Sequence, residues 1–587
     1  MIAALRRLMA QKGLDAYVIP ATDPHQSEYV PDYWRVLRWV SGFTGSAGTL
    51  VVTHDFAGLW TDSRYFVQAE HQLAGSGIQL VRMRVPHTPE FAQWLAQQLP
   101  ANAVVGVDGN LLSRSWYQPL EALLRAKNIR LMPHADLAAE LWADRPPLPT
   151  APVYEHPPRF AGIARADKLA RLRLAMGEQG ITHSILASLD DIAWLFNLRG
   201  NDVLYNPVFV AYAVVGPTEA ALFLDPQKVS PALRHRLQQD SIRIQPYQAW
   251  RDYLRRLPAG SVALIDPRRV SQNLLEALPS TITVREGTNL TTLQKAIKTA
   301  EELACIRQTM VRDGVALTKF FYWLHQNLGR QRMTERSVEE QLHALRRQQP
   351  YCQGESFGTI SAYGPNAALP HYSATPESDA ELRPEGVYLL DSGGQYFTGT
   401  TDTTRVIALG PCSDEARRDY TLVLKGLIAV STLRFPAGTR GYQIDALARQ
   451  PLWEHGINFG HGTGHGVGYF LCVHEGPQGI SPAPLDVSFQ PGMITSVEPG
   501  IYRPGKHGIR IENLVCCVEA EHTEFGNFLA FETLTLAPIF TSLVEKSLLT
   551  PRERAWLRAY NRLVARKIGR YLTPDERLWL KHVTVSV

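Results

Sequence analysis

Apolar positions along this chain recur with two periods, and the changes from one period to the other mark its elements. Ile2, Leu5, Leu8 and Met9 repeat at helical spacing and predict a first helix. The segments DAYVIP and TLVVTHDFAGLWT read as strands. A further helix is predicted to open at Thr88-Pro89-Glu90, with Thr88 as cap and Pro89 at the first helical position. The pattern then starts again. A helix near 164–179 leads into THSILAS, DDIAWLFNL, NPVFVAYAVV and ALFL, so a second domain resembles the first in architecture. Between them, residues 144–158 hold six prolines and read as a stiff, extended linker.

Leu303, Ile306, Met310 and Leu317 open a long amphipathic helix that leads into a third domain. Within it GVYLLDSG, TTRVIALG, MITSVEPGIY and GIRIENLVCCVE look like strands, the last belonging to an antiparallel sheet. The tail repeats one signal twice. Thr550-Pro551-x-Glu553 and Thr573-Pro574-x-Glu576 each supply a cap, a proline at the first position and a glutamate at the third. Between them Leu557, Tyr560, Val564, Ile568 and Tyr571 share one helical face, while arginines and Lys567 occupy the other. That basic face reads as solvated, with a dimer contact as the sharper alternative. The predicted domains are 1–143, 159–298, 299–537 and 538–587, in a multidomain chain of α/β and α+β class.

Composition narrows the function more than the fold. A chain of 587 residues is too long for one core and implies about three to four domains. A net charge of +4 from 60 basic and 56 acidic residues is too even for a polyanionic partner, which argues against nucleic acid. All six cysteines lie after residue 300 with no paired C-x-x-C spacing, so reduced thiols are expected. Cys516 and Cys517 are expected to point to opposite faces of their strand. MIAALRRLMAQKGL lacks the apolar core of a signal peptide, and no run approaches the ~18 apolar residues that span a membrane. The expected location is cytoplasmic.

The chemistry lies in five short motifs: LLDSGGQY, TGTTDTTR, HGTGHGVG, TSVEPGIY and GIRIENL. They carry Asp391, Asp402, His465, Glu498 and Glu512. Four carboxylates and one imidazole can hold two divalent cations if two carboxylates bridge, and paired cations ~3.5–4 Å apart can clamp a tetrahedral transition state. The threonines around Asp402 can serve as hydrogen-bond donors to the site. Gly393 and Gly394 let the backbone turn away from a crowded ion, and the glycines around His465 permit close backbone approach. Spacing alone proves nothing here, because ligands this scattered have to be gathered by the fold.

In this order the motifs resemble the metal site of the pita-bread metallopeptidases, the group of methionine aminopeptidase, prolidase and aminopeptidase P. GPNAALPHY, VHEGPQGIS and EPGIYRPGKHGIRIENL resemble the long, three-domain Xaa-Pro aminopeptidases, as do HQSEYV, VSGFTGSAGTL, WTDSRYF and DDIAWLFNLRGNDVLYNPVF. The resemblance covers nearly the whole chain. It implies two creatinase-N-like α/β domains followed by a pita-bread catalytic domain with a helical extension. It also implies that Asp391 and Asp402 hold one metal, that Asp402 and Glu512 bridge, and that His465 and Glu498 complete the second site. The metal would be manganese, with zinc or cobalt as alternatives, since an oxygen-rich set suits hard ions.

The resemblance further places His371, His461 and His474 in the active site, with His474 stabilising the oxyanion and His371 contacting the substrate backbone. Glu498 would act as general base and acid in attack by a metal-bridging hydroxide. Arg510, two residues before Glu512 and on the same face of a regular strand, would orient that carboxylate or reach substrate; a plain ion pair is the alternative. Tyr502 is a weaker supporting residue. The implied activity is removal of a residue that precedes proline in a peptide, by a homodimer. A prolidase restricted to dipeptides and a non-catalytic binding module of the same fold are the competing readings. Ala374, Thr398 and Cys472 depart from the usual family pattern; none is a ligand.

Overall fold

Strands Ala16–Pro20 and His183–Leu186 each lie inside a six-stranded sheet, and the two sheets share one plan. In the first, Thr49–Thr53, Ala57–Thr61 and Gln79–Arg82 follow on one side, and Val104–Val107 and Arg130–Met132 on the other. In the second, Tyr212–Val215, Ala220–Phe223 and Ile242–Gln245 take the first side, and Val262–Ile265 and Thr283–Glu286 the other. The pairing senses agree strand for strand, antiparallel in the hairpins and parallel outside them. The architectural repeat is thus a repeat of topology. Alternate residues of the first sheet enter two cores: Tyr17 and Ile19 pack with the helix Ile2–Gln11, whereas Ala16 and Val18 pack with Leu95 and Leu120. Both faces are therefore covered, as a sheet with parallel crossovers requires.

The computed structural model describes residues 1–84 and 89–585, and these divide into two compact units. The first holds 1–156 with 163–293, and the second 157–162 with 294–587. The helix expected at Thr88-Pro89-Glu90 spans Glu90–Gln98 with Pro89 as the residue before it; Thr88 lies outside the described residues. Beyond a turn, the proline-rich stretch has only the short strand Tyr154–Glu155, which pairs with Leu198–Arg199.

The second unit opens with the 28-residue helix Ala300–Asn327, started by a reciprocal cap between Thr299 and Glu302. Its face of Ile306, Met310, Leu317, Phe320 and Leu324 enters one large core. Val387–Ser392 runs antiparallel between Ile360–Tyr363 and Thr403–Ala408. A second antiparallel sheet orders Arg434–Pro436, Gly526–Thr533, Asn513–Thr523 and Ile494–Val497.

Two expected strands are interrupted. MITSVEPGIY divides into Ile494–Val497 and Gly500–Arg503, and GIRIENLVCCVE into His507–Arg510 and Asn513–Thr523. Cys516 and Cys517 are both fully buried on the last of these, and all six cysteines are free. The tail helices Pro551–Ile568 and Pro574–Thr584 begin with the two predicted capping boxes. Leu557, Tyr560, Val564 and Ile568 are buried as the periodicity predicts, but Tyr571 is not. It falls past the helix in a 3-10 turn and is 48% exposed. Among the described residues, no helix is long and apolar enough to cross a membrane.

Candidate metal centre

Three of the five predicted ligands sit in gaps between strands. Asp402 lies between Gly399–Thr400 and Thr403–Ala408, Glu498 between Val497 and Gly500, and Glu512 between Arg510 and Asn513. A residue in such a gap can turn its side chain out of the strand's alternation while the strands hold its neighbours. Asp391 is the penultimate residue of Val387–Ser392, and His465 stands in a two-residue strand paired with Gly479–Ile480. Close approach there needs a glycine. A Cβ on Gly464 would lie 1.8 Å from the Ser496 carbonyl oxygen.

These residues converge. Ligand atoms of Asp391, Asp402 and Glu512 lie within 4.8 Å of one another, as do those of His465, Glu498 and Glu512. A third grouping at the same spacing joins His474 to Asp402 and His465. His465 Nε2 is 3.3 Å from both Asp402 Oδ2 and Glu498 Oε1. Its Nδ1 is 2.9 Å from the Gly466 carbonyl, and its ring meets that of His474 edge-on at 4.4 Å.

Hydrogen bonds fix the carboxylates from outside. Thr404 donates to Glu512 Oε2 at 2.8 Å, and Ser496 to Glu498 Oε1 at 3.0 Å. Of the threonines around Asp402, Thr404 donates to a predicted ligand, Glu512, while Thr400 and Thr401 donate to Gln395 and Asp313. Arg510 pairs with Asp391 Oδ2 at 2.6 Å and donates to Tyr502 Oη at 2.7 Å. It reaches Glu512 through Thr404, whose Oγ1 accepts from Arg510 Nε at 3.1 Å and donates to Glu512. The Tyr502 hydroxyl is also 2.7 Å from His461 Nε2. Asp391, Arg510, Tyr502 and His461 thus form one connected line. His371 is half-buried in a turn after the 3-10 helix Gly364–Ala368 and is not among the grouped ligand atoms.

Ser496 was not legible as a partner of Glu498. Neither was the buried pair Asp445–Arg449, whose arginine holds the His461 carbonyl at 2.8 Å. A small polar residue two positions before a glutamate is too common to be a signal. Thr398, a departure from the family pattern, is buried and accepts from Arg312 at 3.0 Å, where an acid would form an ion pair.

The electrostatics are those of a cation site. Burial raises the pKa of Asp391, against the nearby Arg510, and Asp402 adds to the rise. Burial also raises Glu498 despite His465, and lifts Glu512 well above the carboxylate range with help from Asp402, Glu498 and Asp391. Burial alone would lower His465, but its hydrogen bond to Asp402 and the charge of Glu498 hold it at about 9. Four carboxylates face one guanidinium. Asp391 Oδ1 and Glu512 Oε1 are buried without a hydrogen-bond partner, a costly state unless something else meets them. Hard divalent cations fit this oxygen-rich donor set.

Comparison with known proteins agrees along the whole chain. Residues 304–519 match the metallopeptidase family M24, and 527–587 its C-terminal region. Residues 1–141 and 144–302 each match a creatinase/prolidase N-terminal domain. The chain is 40% identical to a probable Xaa-Pro aminopeptidase P of Paracoccidioides brasiliensis over all of its own length and 98% of that protein. The corresponding protein of Aspergillus fumigatus is also 40% identical, over all of this chain and 92% of its own. Among solved structures, the X-prolyl aminopeptidase of Caenorhabditis elegans, described as a cytosolic enzyme with a di-nuclear active site, superposes with a TM-score of 0.93 at 34% identity. That match covers 99% of this chain and 97% of the other. The repeated six-stranded domains are therefore creatinase-N domains, the region bearing the predicted ligands is a pita-bread domain, and the chain belongs to metallopeptidase family M24.

Proposed function

We infer that this chain is a metal-dependent aminopeptidase that hydrolyses the bond between an N-terminal residue and a following proline. The buried, unpartnered oxygens of Asp391 and Glu512 inside a four-carboxylate cluster carry the metal half of that reading. Full-length likeness to Xaa-Pro aminopeptidases carries the substrate half and favours peptides over dipeptides alone.

Two divalent ions are proposed, with Asp391 and Asp402 holding one, Asp402 and Glu512 bridging, and His465 and Glu498 completing the other. Manganese is the proposed metal, supported by the carboxylate-rich set. When bound, such ions lower the pKa of water and polarise a carbonyl oxygen. The residues do the rest. Ser496 donates to Glu498 Oε1 and holds that carboxylate, which is assigned to carry a proton from the attacking water to the departing proline nitrogen. His474, whose ring meets that of His465, is assigned to donate to the developing oxyanion. His371 and His461 are assigned to the substrate, and Tyr502 and Arg510 hold His461 and Asp391 in register. The bond before proline is a tertiary amide without N–H, so the site needs no acceptor for one.

Domains are proposed at 1–143, 159–298, 299–537 and 538–587, supported by the four family matches. A cytoplasmic location accords with six free thiols and a cytosolic relative. A homodimer accords with the family resemblance and the tail helix Pro551–Ile568.

The test is hydrolysis of Arg-Pro-Pro and of Arg-Pro by metal-stripped protein with and without added manganese. Manganese-dependent release of arginine from the tripeptide, with little from the dipeptide, is expected. Cleavage of the dipeptide alone would overturn the aminopeptidase reading in favour of a prolidase. In parallel, Asp402→Ala is expected to lose both metals and activity, and a fully loaded, active variant would refute its bridging role.

A further inference from the structure

Two buried charges that touch no ligand border the metal centre. Arg346, in helix Glu335–Arg347, is 0% exposed, and Asp313, in helix Ala300–Asn327, is 2% exposed. Arg346 Nε donates to Asp313 Oδ1 at 2.8 Å, one terminal nitrogen donates to Ser392 Oγ at 3.0 Å, and the other pairs with Glu355. Asp313 in turn accepts from the Tyr396 hydroxyl at 3.0 Å and from Thr401 Oγ1 at 2.9 Å. Ser392 follows Asp391 in sequence, and Thr401 precedes Asp402. The network thus ends on the nearest neighbour of each aspartate.

Asp391 is fixed by a strand ladder and Asp402 is not. In the pairing of Val387–Ser392 with Thr403–Ala408, Asp391 opposes Thr404 and Ser392 opposes Thr403, so the ladder stops one residue short of Asp402. Thr401 supplies the missing constraint. Its N–H donates to the Gly394 carbonyl at 2.9 Å, its Oγ1 accepts from the Gly394 N–H at 2.8 Å, and its carbonyl accepts from Ser356 Oγ at 2.8 Å. Its hydroxyl proton goes to Asp313. This packing also explains the double glycine after Ser392. A Cβ on Gly393 would lie 1.9 Å from the Thr401 carbonyl oxygen, and one on Gly394 would lie 2.8 Å from Arg346 Cδ. Neither glycine has a positive φ, so close approach, not a turn away from the ion, is what they supply.

A buried ion pair is a poor source of net stability, since apolar residues of equal volume often serve as well. Its worth here lies in direction. We propose that Arg346 and Asp313 are positioning residues of the metal centre, which hold Ser392 and Thr401 and so set the separation of Asp391 and Asp402. The inference rests on the reading of those two aspartates as metal ligands.

The test titrates manganese into stripped full-length protein, followed by calorimetry and by electron paramagnetic resonance, which separates a coupled pair of ions from isolated ones. Thr401→Val removes the hydroxyl at constant shape, Thr401→Ser restores it, and Arg346→Lys keeps the charge without the planar fork. Thr401→Val and Arg346→Lys should bind manganese about 10- to 100-fold more weakly, the loss typical of outer-shell partners, and lose the coupled-pair signal. Thr401→Ser should recover both. A purely structural role would lower the melting temperature of the stripped protein and leave affinity and signal unchanged in the folded fraction. Wild-type affinity with a coupled pair in folded Thr401→Val would overturn the inference and leave the metal centre standing. Failure of the wild type to bind manganese would remove both. If Arg346→Lys does not fold, the valine and serine variants decide alone.

Discussion

At the scale of single residues, chemistry was legible where a side chain acts inside its own motif and hidden where it acts through a distant one. Asp391, Asp402, His465, Glu498 and Glu512 sit in short, distinctive contexts, and the fold gathers them within bonding reach of common ions. Arg510 shows the opposite case. Counting two residues along a strand pointed it at Glu512, yet the strand stops at Arg510, and its guanidinium meets Asp391 directly at 2.6 Å and Glu512 only through Thr404. His474 marks a choice the geometry sharpens. Its ligand atom shares a grouping with Asp402 and His465, so it is close enough either to ligate or to stabilise the oxyanion. The mechanism above requires the second role. His474→Ala should therefore keep two bound metals and lose about 10²- to 10³-fold in kcat, the usual cost of removing one oxyanion donor. Metal counting beside steady-state kinetics reads this directly, and a variant that drops an ion would make His474 a ligand.

At the scale of elements, periodicity and caps located most helices, while interruptions escaped. The capping boxes at Thr550 and Thr573 were visible because they are local: two side chains and two backbone N–H groups exchanged across a spacing of three residues. Tyr571 was misplaced because a 3.6-residue count assumes that the helix continues, and it ends at Ile568. The break at Glu512 was hidden for a related reason. Pro499-Gly500 is a local signal for the first break, at Glu498, but Ile509 and Ile511 alternate into the second, where only tertiary pairing shows that the strand stops. Glu553 has a second role that sequence did not reveal, since both its oxygens lie 2.9 Å from Lys425 Nζ. Thr550→Ala should cost about 1 kcal/mol, the ordinary worth of an N-cap, whereas Glu553→Ala keeps the Thr550 cap but loses the reciprocal bond to the Thr550 N–H and the Lys425 contact together. Calorimetric melting should rank the glutamate variant below the threonine variant. Equal melting temperatures would mean that the lysine pair contributes nothing beyond the cap.

At the scale of the whole molecule, the topological repeat of the first unit was legible as a repeated pattern of helix and strands, because secondary structure follows local periodicity while sequence identity does not. What sequence could not supply is the charge balance of the second unit's interior, which makes stability depend on metal and pH together. In the stripped protein Asp391, Glu498 and Glu512 have raised pKa values and His465 is held at about 9. A carboxyl whose folded pKa lies above its unfolded one stabilises the fold at low pH, and that contribution is lost as pH rises towards the folded value. A raised histidine likewise contributes below its unfolded pKa and ceases to contribute as pH passes about 9. Metal ligation needs all four deprotonated, so protons compete with the ions and binding releases them. Raising pH from 5 to 8 should therefore erode these groups' support of the stripped protein and strengthen metal binding at the same time. Because bound ligand stabilises as RT ln(1 + [L]/Kd), the rise in Tm produced by a fixed manganese concentration should grow steadily over that range. Scanning calorimetry of stripped and manganese-loaded protein at each pH measures it. A manganese-induced shift that is flat or falls between pH 5 and 8 would show that these four groups do not exchange protons for metal.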